Sequence, residues 1–209
     1  MDERRAEKEI KRLYHGLGWP TIFTYIRFFT APYQAIEKYV PKKGIIVDLG
    51  CGYGLFSNYL GLTSSQRRVV GVELDENKIK YADKKIKNVN FFKKDITKMK
   101  LPQVEAFLLI HVFHHLNSFK EQEALLAECV KKLKRGGLLL IVEIDKKPWW
   151  KFLITQLADH ILYPGDKIYY RFEKEMVELL KPFSFKLKIR RIHQGKPFSH
   201  MLYLGYVES

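Results

Sequence analysis

Residues 47–56, VDLGCGYGLF, place three alternate glycines between an apolar run and the start of an amphipathic helix. Gly50, Gly52 and Gly54 predict a tight turn in which the backbone passes close to a ligand, because glycine has no Cβ to obstruct the approach. Asp48 closes the apolar run, and the free N–H groups at the start of the helix would point into the turn. A strand, a glycine turn and a helix in direct succession therefore predict a ligand-binding α/β unit.

The spacing of this turn is G-x-G-x-G, which differs from two well-known nucleotide signatures. A dinucleotide fingerprint needs G-x-G-x-x-G, and Leu55 occupies its third glycine position. A P-loop needs Gly-Lys-Ser/Thr, which does not follow the glycines. The turn indicates a nucleotide-like ligand without specifying NAD or ATP.

Short apolar runs alternate with amphipathic helices through the middle of the chain, a pattern typical of a doubly wound α/β sheet with right-handed crossovers. The predicted strands are residues 45–49, 68–73, 90–92, 106–112 and 138–144. The predicted helices are residues 22–39, 55–62, 76–87, 119–134 and 173–181, with residues 2–40 helical as a whole. Residues 183–193 and 199–207, joined by QGKP, predict a closing hairpin.

Acidic side chains follow two of these strands. Glu73 ends the second strand about 20 residues beyond the glycines, where a carboxylate can bind the hydroxyls of a ribose. Asp95 follows the third strand and could accept from an exocyclic amine, with Ile96 beside an adenine face. A carboxylate after a strand is more often a turn former or a helix cap. The ordered set, with one member at each strand end, points more strongly to a binding rim.

The ordered set resembles the motifs of class I S-adenosylmethionine-dependent methyltransferases, over roughly residue 41 to the C-terminus. VDLGCGYG looks like their glycine motif, GVELD their ribose-binding strand end and KKDI their adenine-binding one. The resemblance implies a seven-stranded, mainly parallel, doubly wound α/β sheet with an antiparallel last strand. It also implies an N-terminal helical lid or extension, residues 1–40, and a methyltransferase domain, residues 41–209, with a small aromatic substrate-side insert at 146–170.

S-adenosylmethionine is the cofactor that the resemblance implies. The implied contacts are Asp48, Gly50, Cys51, Gly52, Glu73, Leu74, Asp95, Ile96 and His111. We predict no metal site, because no Cys or carboxylate ligand set accompanies the histidines of residues 110–116, IHVFHHL.

Two of these histidines are candidates for catalysis. The resemblance places the end of the fourth strand, where His111 falls, beside the methyl group. A neutral imidazole suits a general base near pH 7, so we predict His111 as a base or cofactor contact and His115 as a second candidate. The alternative for both is a packed, hydrogen-bonded residue of the turn.

Three residues are candidates for the substrate side. Arg27 is the only formally charged residue between Arg12 and Glu37, and it could clamp a carboxylate or extend to the surface. Trp150 and Tyr170 belong to the aromatic insert, which either covers a substrate or forms a small satellite core. Tryptophan beside lysine is also typical of a membrane interface.

The formal net charge of +14 indicates either an anionic partner or a lysine-rich solvated surface. The basic residues are spread along the whole chain, which favours the solvated surface. Two distant cysteines and a charged N-terminus without an apolar leader predict a cytoplasmic location, with peripheral membrane contact as an alternative.

These features together predict a methyltransferase that acts on an oxygen or nitrogen of a small-molecule or lipid-like acceptor. The same chemistry on RNA, driven by the basic surface, is an alternative, whereas DNA is not expected because no NPPY-like motif is present. An alternative from another class is a non-catalytic module of the same fold that binds a partner protein.

Overall fold

A seven-stranded β-sheet forms the centre of the protein, in a computed structural model that describes residues 1–162 and 168–208. The strands are β1 (Gly44–Leu49), β2 (Arg67–Glu73), β3 (Val89–Lys93), β4 (Val104–Ile110), β5 (Leu133–Ile144), β6 (Phe185–Arg191) and β7 (His200–Val207). Their order across the sheet is β3-β2-β1-β4-β5-β7-β6. Neighbouring strands are parallel, except that β7 runs antiparallel to both β5 and β6. The predicted fold class is therefore confirmed.

Helices cover both faces of this sheet. They are α1 (Glu3–Leu13), α2 (Trp19–Thr30), α3 (Tyr33–Glu37), α4 (Leu55–Thr63), α5 (Glu76–Ala82), α6 (Phe119–Lys132), α7 (Trp149–Leu162) and α8 (Glu173–Leu180). Side chains of β1 alternate between two cores, with Ile46 in the core that includes α1 and α4, and Val47 and Leu49 in the core that includes α6 and α8. β4 is buried on both faces from residue 106 to 110, which explains its unbroken apolar sequence.

Three predicted elements need correction. The helix predicted over residues 22–39 is two helices, α2 and α3, because Ala31 is extended ahead of Pro32. The helix predicted over 76–87 ends at Ala82. The insert over 146–170, for which the sequence predicts no helix or strand, contains the helix α7; its residues 163–167 lie outside the described part of the chain.

Candidate functional site

The glycine turn lies between β1 and α4, at the carboxyl end of the parallel strands. Gly50, Gly52 and Gly54 all have positive φ angles, of 73°, 56° and 69°. A Cβ built on Gly50 would lie 2.2 Å from Cγ2 of Val112, so the turn packs tightly there. A Cβ built on Gly52 would meet nothing within 4 Å. The turn thus has one packed side and one side that faces open space, as a close-fitting ligand site requires.

Asp48 lies beneath this turn and is almost completely buried. Its carboxylate accepts a hydrogen bond of 2.6 Å from the Ser57 hydroxyl on α4. Burial raises the pKa of Asp48 to about 6, and the nearby charge of Glu73 adds to the rise, while Arg27 opposes it. The side chain therefore holds the turn against α4 and places negative charge at the base of the site.

Glu73 closes β2 and binds the backbone around it. One carboxylate oxygen accepts from the Gly52 N–H at 2.9 Å, and the other accepts from the N–H groups of Leu74 at 2.8 Å and Asp75 at 3.1 Å. Because a carboxylate has about four acceptor positions, the oxygen bonded to Gly52 retains one for a ligand hydroxyl. Leu74, beside it, is exposed and can pack against an aromatic base.

Asp95 follows β3 and forms the cap of a short turn. Its carboxylate accepts from the backbone N–H and the hydroxyl of Thr97, at 2.9 and 2.6 Å, and pairs with Lys98 at 3.1 Å. The hydrogen bonds from Thr97 lower the pKa of Asp95 below its ordinary value. The turn-forming role that a lone carboxylate usually has is thus present, and the oxygen facing Lys98 retains an acceptor position for an amine. Ile96 packs from the same turn against the core.

A cavity of about 180 Å³ opens beyond the glycine turn. Its lining includes Arg27, Asp48, His111, His114 and His115, so the structure brings the predicted Arg27 and both predicted histidines together with the turn. Glu73, Leu74, Asp95 and Ile96 lie outside that lining, on the adjoining rim. This volume is smaller than that of a typical pocket for a drug-sized ligand, which is about 300–1,000 Å³. The cavity therefore suits one end of a cofactor and its acceptor, and the rim suits a ribose and a base.

His111 occupies an unusual position at the end of β4. Its φ angle of 54° lies in the left-handed region, which costs a non-glycine residue strain. Its Nε2 atom is buried without a hydrogen-bond partner, and its ring lies 4.8 Å from that of His200 on β7. Burial, together with the neighbouring His200, lowers the pKa of His111 well below its ordinary value. The ring is therefore a neutral group with an unmet hydrogen bond at the cavity wall.

His114 forms a contact that sequence reasoning missed. Its Nδ1 atom is hydrogen-bonded to the carboxylate of Glu143 on β5, and both side chains are buried. Glu143 also accepts from the Phe113 N–H at 3.1 Å. Because an ionised carboxylate only accepts, Nδ1 of His114 donates this hydrogen bond. The signal available in the sequence was an acidic residue near the end of an otherwise apolar fifth strand.

Of His115 and the three substrate-side candidates, some line the cavity and others do not. Burial lowers the pKa of His115 to about 3, so this ring is also neutral. Tyr170 stacks on His114 at 5.2 Å and does not line the cavity. Trp150 lies exposed on α7, outside the lining. The substrate roles of Trp150 and Tyr170 stay predictions, whereas Arg27 reaches the cavity wall and lies 5.8 Å from the ring of Phe23.

Within the described residues, 1–162 and 168–208, no group of three or more His, Cys, Asp and Glu side chains could hold a metal ion. No helix in the same part of the chain has the length and apolar character needed to cross a membrane.

Comparison with known proteins gives a consistent class. Residues 47–141 match the family model described as a methyltransferase domain. The protein named "Putative methyltransferase 235L" of Invertebrate iridescent virus 6 is 26% identical over 138 residues, covering 61% of this chain and 52% of that protein. The tRNA (carboxymethyluridine(34)-5-O)-methyltransferase of Arabidopsis thaliana is 29% identical over 140 residues, covering 65% of this chain and 32% of that protein. The chain thus spans about half or less of the length of these relatives.

Solved structures of methyltransferases match along nearly the whole chain. One of them, from Thermotoga maritima, is described as a possible histamine N-methyltransferase and has a TM-score of 0.70 at 16% identity, covering 95% of this chain and 98% of that one. At this identity the likeness concerns the fold. Residues 47–141 therefore match a methyltransferase domain, and the strand order and the solved structure agree with the fold expected of class I S-adenosylmethionine-dependent methyltransferases.

S-adenosylmethionine is accordingly the cofactor, and the site has the features to hold it. Gly52 leaves open space where a Cβ would stand, Glu73 retains an acceptor for the ribose, and Asp95 retains one for the adenine amine. Asp48 and Arg27 lie at the end of the site where the charged methionine portion would lie. These features agree with the methyltransferase domain match over residues 47–141.

Proposed function

We propose that the protein transfers the methyl group of S-adenosylmethionine to an oxygen or nitrogen of a small, apolar, lipid-like acceptor. The observation that carries this proposal is the lining of the cavity next to the glycine turn. Apart from Arg27, Asp48 and the histidines, most of its side chains are aromatic or aliphatic: Trp19, Phe23, Ile26, Tyr33, Tyr53, Leu55, Phe56, Ile110, Ile144 and Phe198. Such a wall stabilises an apolar acceptor and excludes water.

Bound S-adenosylmethionine supplies an electrophilic methyl group to an in-line displacement. The chain's own contribution is to align the acceptor, keep water out and take up the proton that an acceptor hydroxyl or ammonium loses. α2 and α7 enclose the cavity, with Trp19 and Ile26 on one side and Thr155 and Ala158 on the other. Their apolar surfaces position the acceptor against the end of β4.

His114 is the side chain best suited to accept the proton. A base becomes positively charged, and the Glu143 carboxylate hydrogen-bonded to His114 stabilises that charge. His111 has neutral His200 as its close neighbour, so its protonated form gains no such stabilisation. The unmet Nε2 of His111 instead suits a hydrogen bond that positions a ligand.

The first experiment measures cofactor binding by calorimetry. Wild-type protein should bind S-adenosylmethionine, and Glu73→Ala should weaken binding at least about tenfold, because it removes the ribose acceptor. Lys174→Ala, on the exposed side of α8, is the control and should bind normally. No binding by the wild type, or unchanged binding by Glu73→Ala, would contradict the proposal.

The second experiment identifies the class of acceptor. The protein is incubated with a cell extract and S-adenosylmethionine labelled in the methyl group, and the extract is then separated into organic-soluble, nucleic-acid and protein fractions. Label in the organic-soluble fraction supports a lipid-like acceptor. Its absence from that fraction, with label elsewhere, rejects the apolar acceptor.

RNA is a second candidate acceptor for one specific reason. A relative that this chain resembles at 29% identity is named as a tRNA methyltransferase, and this chain carries a net charge of +14. The labelling experiment separates the candidates, because tRNA methylation would place the label in the nucleic-acid fraction. Binding to tRNA that weakens steeply with salt would support the same candidate.

A further inference from the structure

The outward faces of α2 and α7 carry an exposed apolar surface, and only Trp19 and Ile26 of its residues also line the cavity. We propose that this surface, termed the docking face, seats the protein on an anionic lipid bilayer, from which the cavity takes its acceptor. The proposal rests on the proposed function for the identity of the cavity, and it adds the partner that delivers the acceptor. The docking face consists of Trp19, Ile22, Tyr25, Ile26 and Phe29 of α2, and Trp149, Trp150, Leu153, Ile154, Leu157 and Ile161 of α7.

In α2 the exposed apolar residues follow the helical repeat. Trp19, Ile22, Ile26 and Phe29 are spaced by three or four positions, which places them on one side of the helix. Phe29 is 66% exposed. α2 has no acidic residue, and it carries one basic residue, Arg27, which lies at the cavity wall. A helix with this outer surface is poorly suited to water.

The helix α7 also has one buried side and one exposed apolar side. Lys151 and Thr155, four positions apart, are buried against the rest of the protein. Leu153, Ile154, Leu157 and Ile161 are exposed, with Leu157 63% exposed and Ile161 69% exposed. Most of the large hydrophobic side chains that are exposed in the described part of the chain belong to α2 and α7. This concentration exceeds the scattered apolar exposure of an ordinary soluble surface.

The two helices are linked to each other and to the cavity. Nζ of Lys196 donates to the carbonyl oxygens of Phe28 and Phe29 at the end of α2, at 3.0 and 2.9 Å. Nζ of Lys151 on α7 donates to the carbonyl oxygens of His193 and Lys196, at 2.9 and 2.6 Å. The loop between β6 and β7 therefore connects both helices. Because both also line the cavity, the docking face borders its entrance.

The charges beside the docking face indicate an anionic partner. Lys146, Lys147 and Arg191 lie with Trp149 in one surface depression at the start of α7, and Arg191 also pairs with Glu173 at 2.9 Å. Trp149 itself is 70% exposed. Tryptophan and aliphatic side chains flanked by lysine and arginine are typical of helices that lie in a membrane interface with acidic headgroups. This combination favours a bilayer over a second copy of the chain, whose matching face would carry the same positive charge.

The test is flotation of the full chain, without S-adenosylmethionine, on vesicles of phosphatidylcholine mixed with phosphatidylglycerol. The wild type should bind, and the triple variant Phe29→Ser, Leu157→Ser, Ile161→Ser should bind at least about tenfold more weakly, because three insertions into the interface are lost. Phe92→Ser, which removes an exposed aromatic side chain from β3, is the matched control and should bind as the wild type does.

A second variant tests the charge. Lys146→Glu with Lys147→Glu should weaken binding to the mixed vesicles, with less effect on vesicles of phosphatidylcholine alone. Both sets of variants should retain calorimetric binding of S-adenosylmethionine, which shows that they are folded. No vesicle binding by the wild type overturns the proposal. A dimer seen by light scattering that the triple variant separates, without vesicle binding, also overturns it and assigns the face to a second copy.

The outcomes distinguish this proposal from the proposed function. Binding of S-adenosylmethionine and label in the organic-soluble fraction, without vesicle binding, leave the proposed function standing and reject the docking face. Vesicle binding without methyl transfer to any organic-soluble acceptor supports the docking face and rejects delivery of an acceptor from the bilayer.

Discussion

Two histidines at the cavity wall differ in what surrounds them. His114 has a carboxylate partner in Glu143, and His111 has a strained backbone and a buried nitrogen without a partner. A proton acceptor needs its charged form stabilised, and a positioning group needs a hydrogen bond to offer. These environments favour His114 for the proposed proton uptake and His111 for the proposed ligand positioning.

This assignment predicts different kinetics for the two histidines. With an acceptor identified by labelling, His114→Gln should lower kcat on the order of a hundredfold or more, the usual contribution of a general base. His111→Gln should mainly raise KM, because it alters a positioning contact. Steady-state kinetics with both variants measure the difference. An equal loss of kcat in the two variants would contradict the assignment.

Glu143→Gln tests the partner of His114 separately. The substitution keeps an acceptor for the Phe113 N–H but removes the charge that stabilises protonated His114. The acid limb of the pH–rate profile should move to lower pH, an effect that a purely structural role would not produce. An unchanged profile with a lower rate would indicate a structural role.

A third histidine, His200, should make stability depend on pH. Its Nε2 atom donates to the Thr30 carbonyl at 2.8 Å, and burial lowers its pKa to about 3 from an unfolded value of about 6.5. Between these values the unfolded chain binds more protons than the folded one, so the stability present above pH 6.5 is lost as pH falls.

His200→Gln keeps a donor for Thr30 but cannot titrate. Below pH 6, the free energy of unfolding should therefore fall less steeply with decreasing pH in this variant than in the wild type. The difference between the two slopes should be about 1.4 kcal/mol per pH unit. Urea unfolding at pH 7 and pH 5 measures the slope, and His15→Gln, in an exposed position, is the control. Equal slopes in His200→Gln and wild type would show that His200 is not the group responsible.

At the scale of the elements, the glycine turn combines a strained backbone with open space for a cofactor. Gly52 and Gly136 have similar positive φ angles, 56° and 71°, and a Cβ built on either meets nothing within 4 Å. Gly52→Ala and Gly136→Ala should therefore lose similar stability, about 1 kcal/mol each. Only Gly52→Ala should lose affinity for S-adenosylmethionine, because its methyl group would enter the cofactor space.

Urea unfolding of the two variants measures the stability lost through backbone strain, and calorimetry measures their affinity for S-adenosylmethionine. If both variants bound S-adenosylmethionine as the wild type does, the open side of the turn would not be the cofactor site. If both lost binding equally, general destabilisation would explain the result.

Some secondary-structure elements and contacts are predictable from the sequence, and others are not. Strands β1 and β4 are identifiable because each is a short apolar run that parallel packing buries on both faces. Helix α7 was missed because its apolar residues lie on the outside: Lys151 and Thr155 face inward, which inverts the usual pattern. The His114–Glu143 contact was missed because β4 and β5 are adjacent only after the sheet forms.

At the scale of the whole molecule, the N-terminal segment and the sheet share one core. The predicted division at residue 40 treats residues 1–40 as a lid or extension, and that division stays a prediction. Ala6, Ile10 and Tyr14 are fully buried in the same hydrophobic core as Ile46 of β1. The Tyr14 hydroxyl also donates to the carbonyl oxygen of Tyr53, in the glycine turn. Movement of α1 as an independent body would break these contacts.

Shared packing predicts that the chain unfolds as one unit. Ile10→Ala removes a fully buried side chain and should lower the free energy of the main unfolding transition by about 2–5 kcal/mol. Lys8→Ala, on the exposed side of α1, should change it by less than about 0.5 kcal/mol. Urea unfolding followed by both tryptophan fluorescence and far-ultraviolet circular dichroism measures the effect, and the two signals should coincide for each variant.

An independent N-terminal segment would instead give Ile10→Ala an early separate transition and leave the main one unchanged. Under conditions that partly unfold Ile10→Ala, its apparent affinity for S-adenosylmethionine should also fall in proportion to the loss of folded protein, because only the folded chain binds the cofactor.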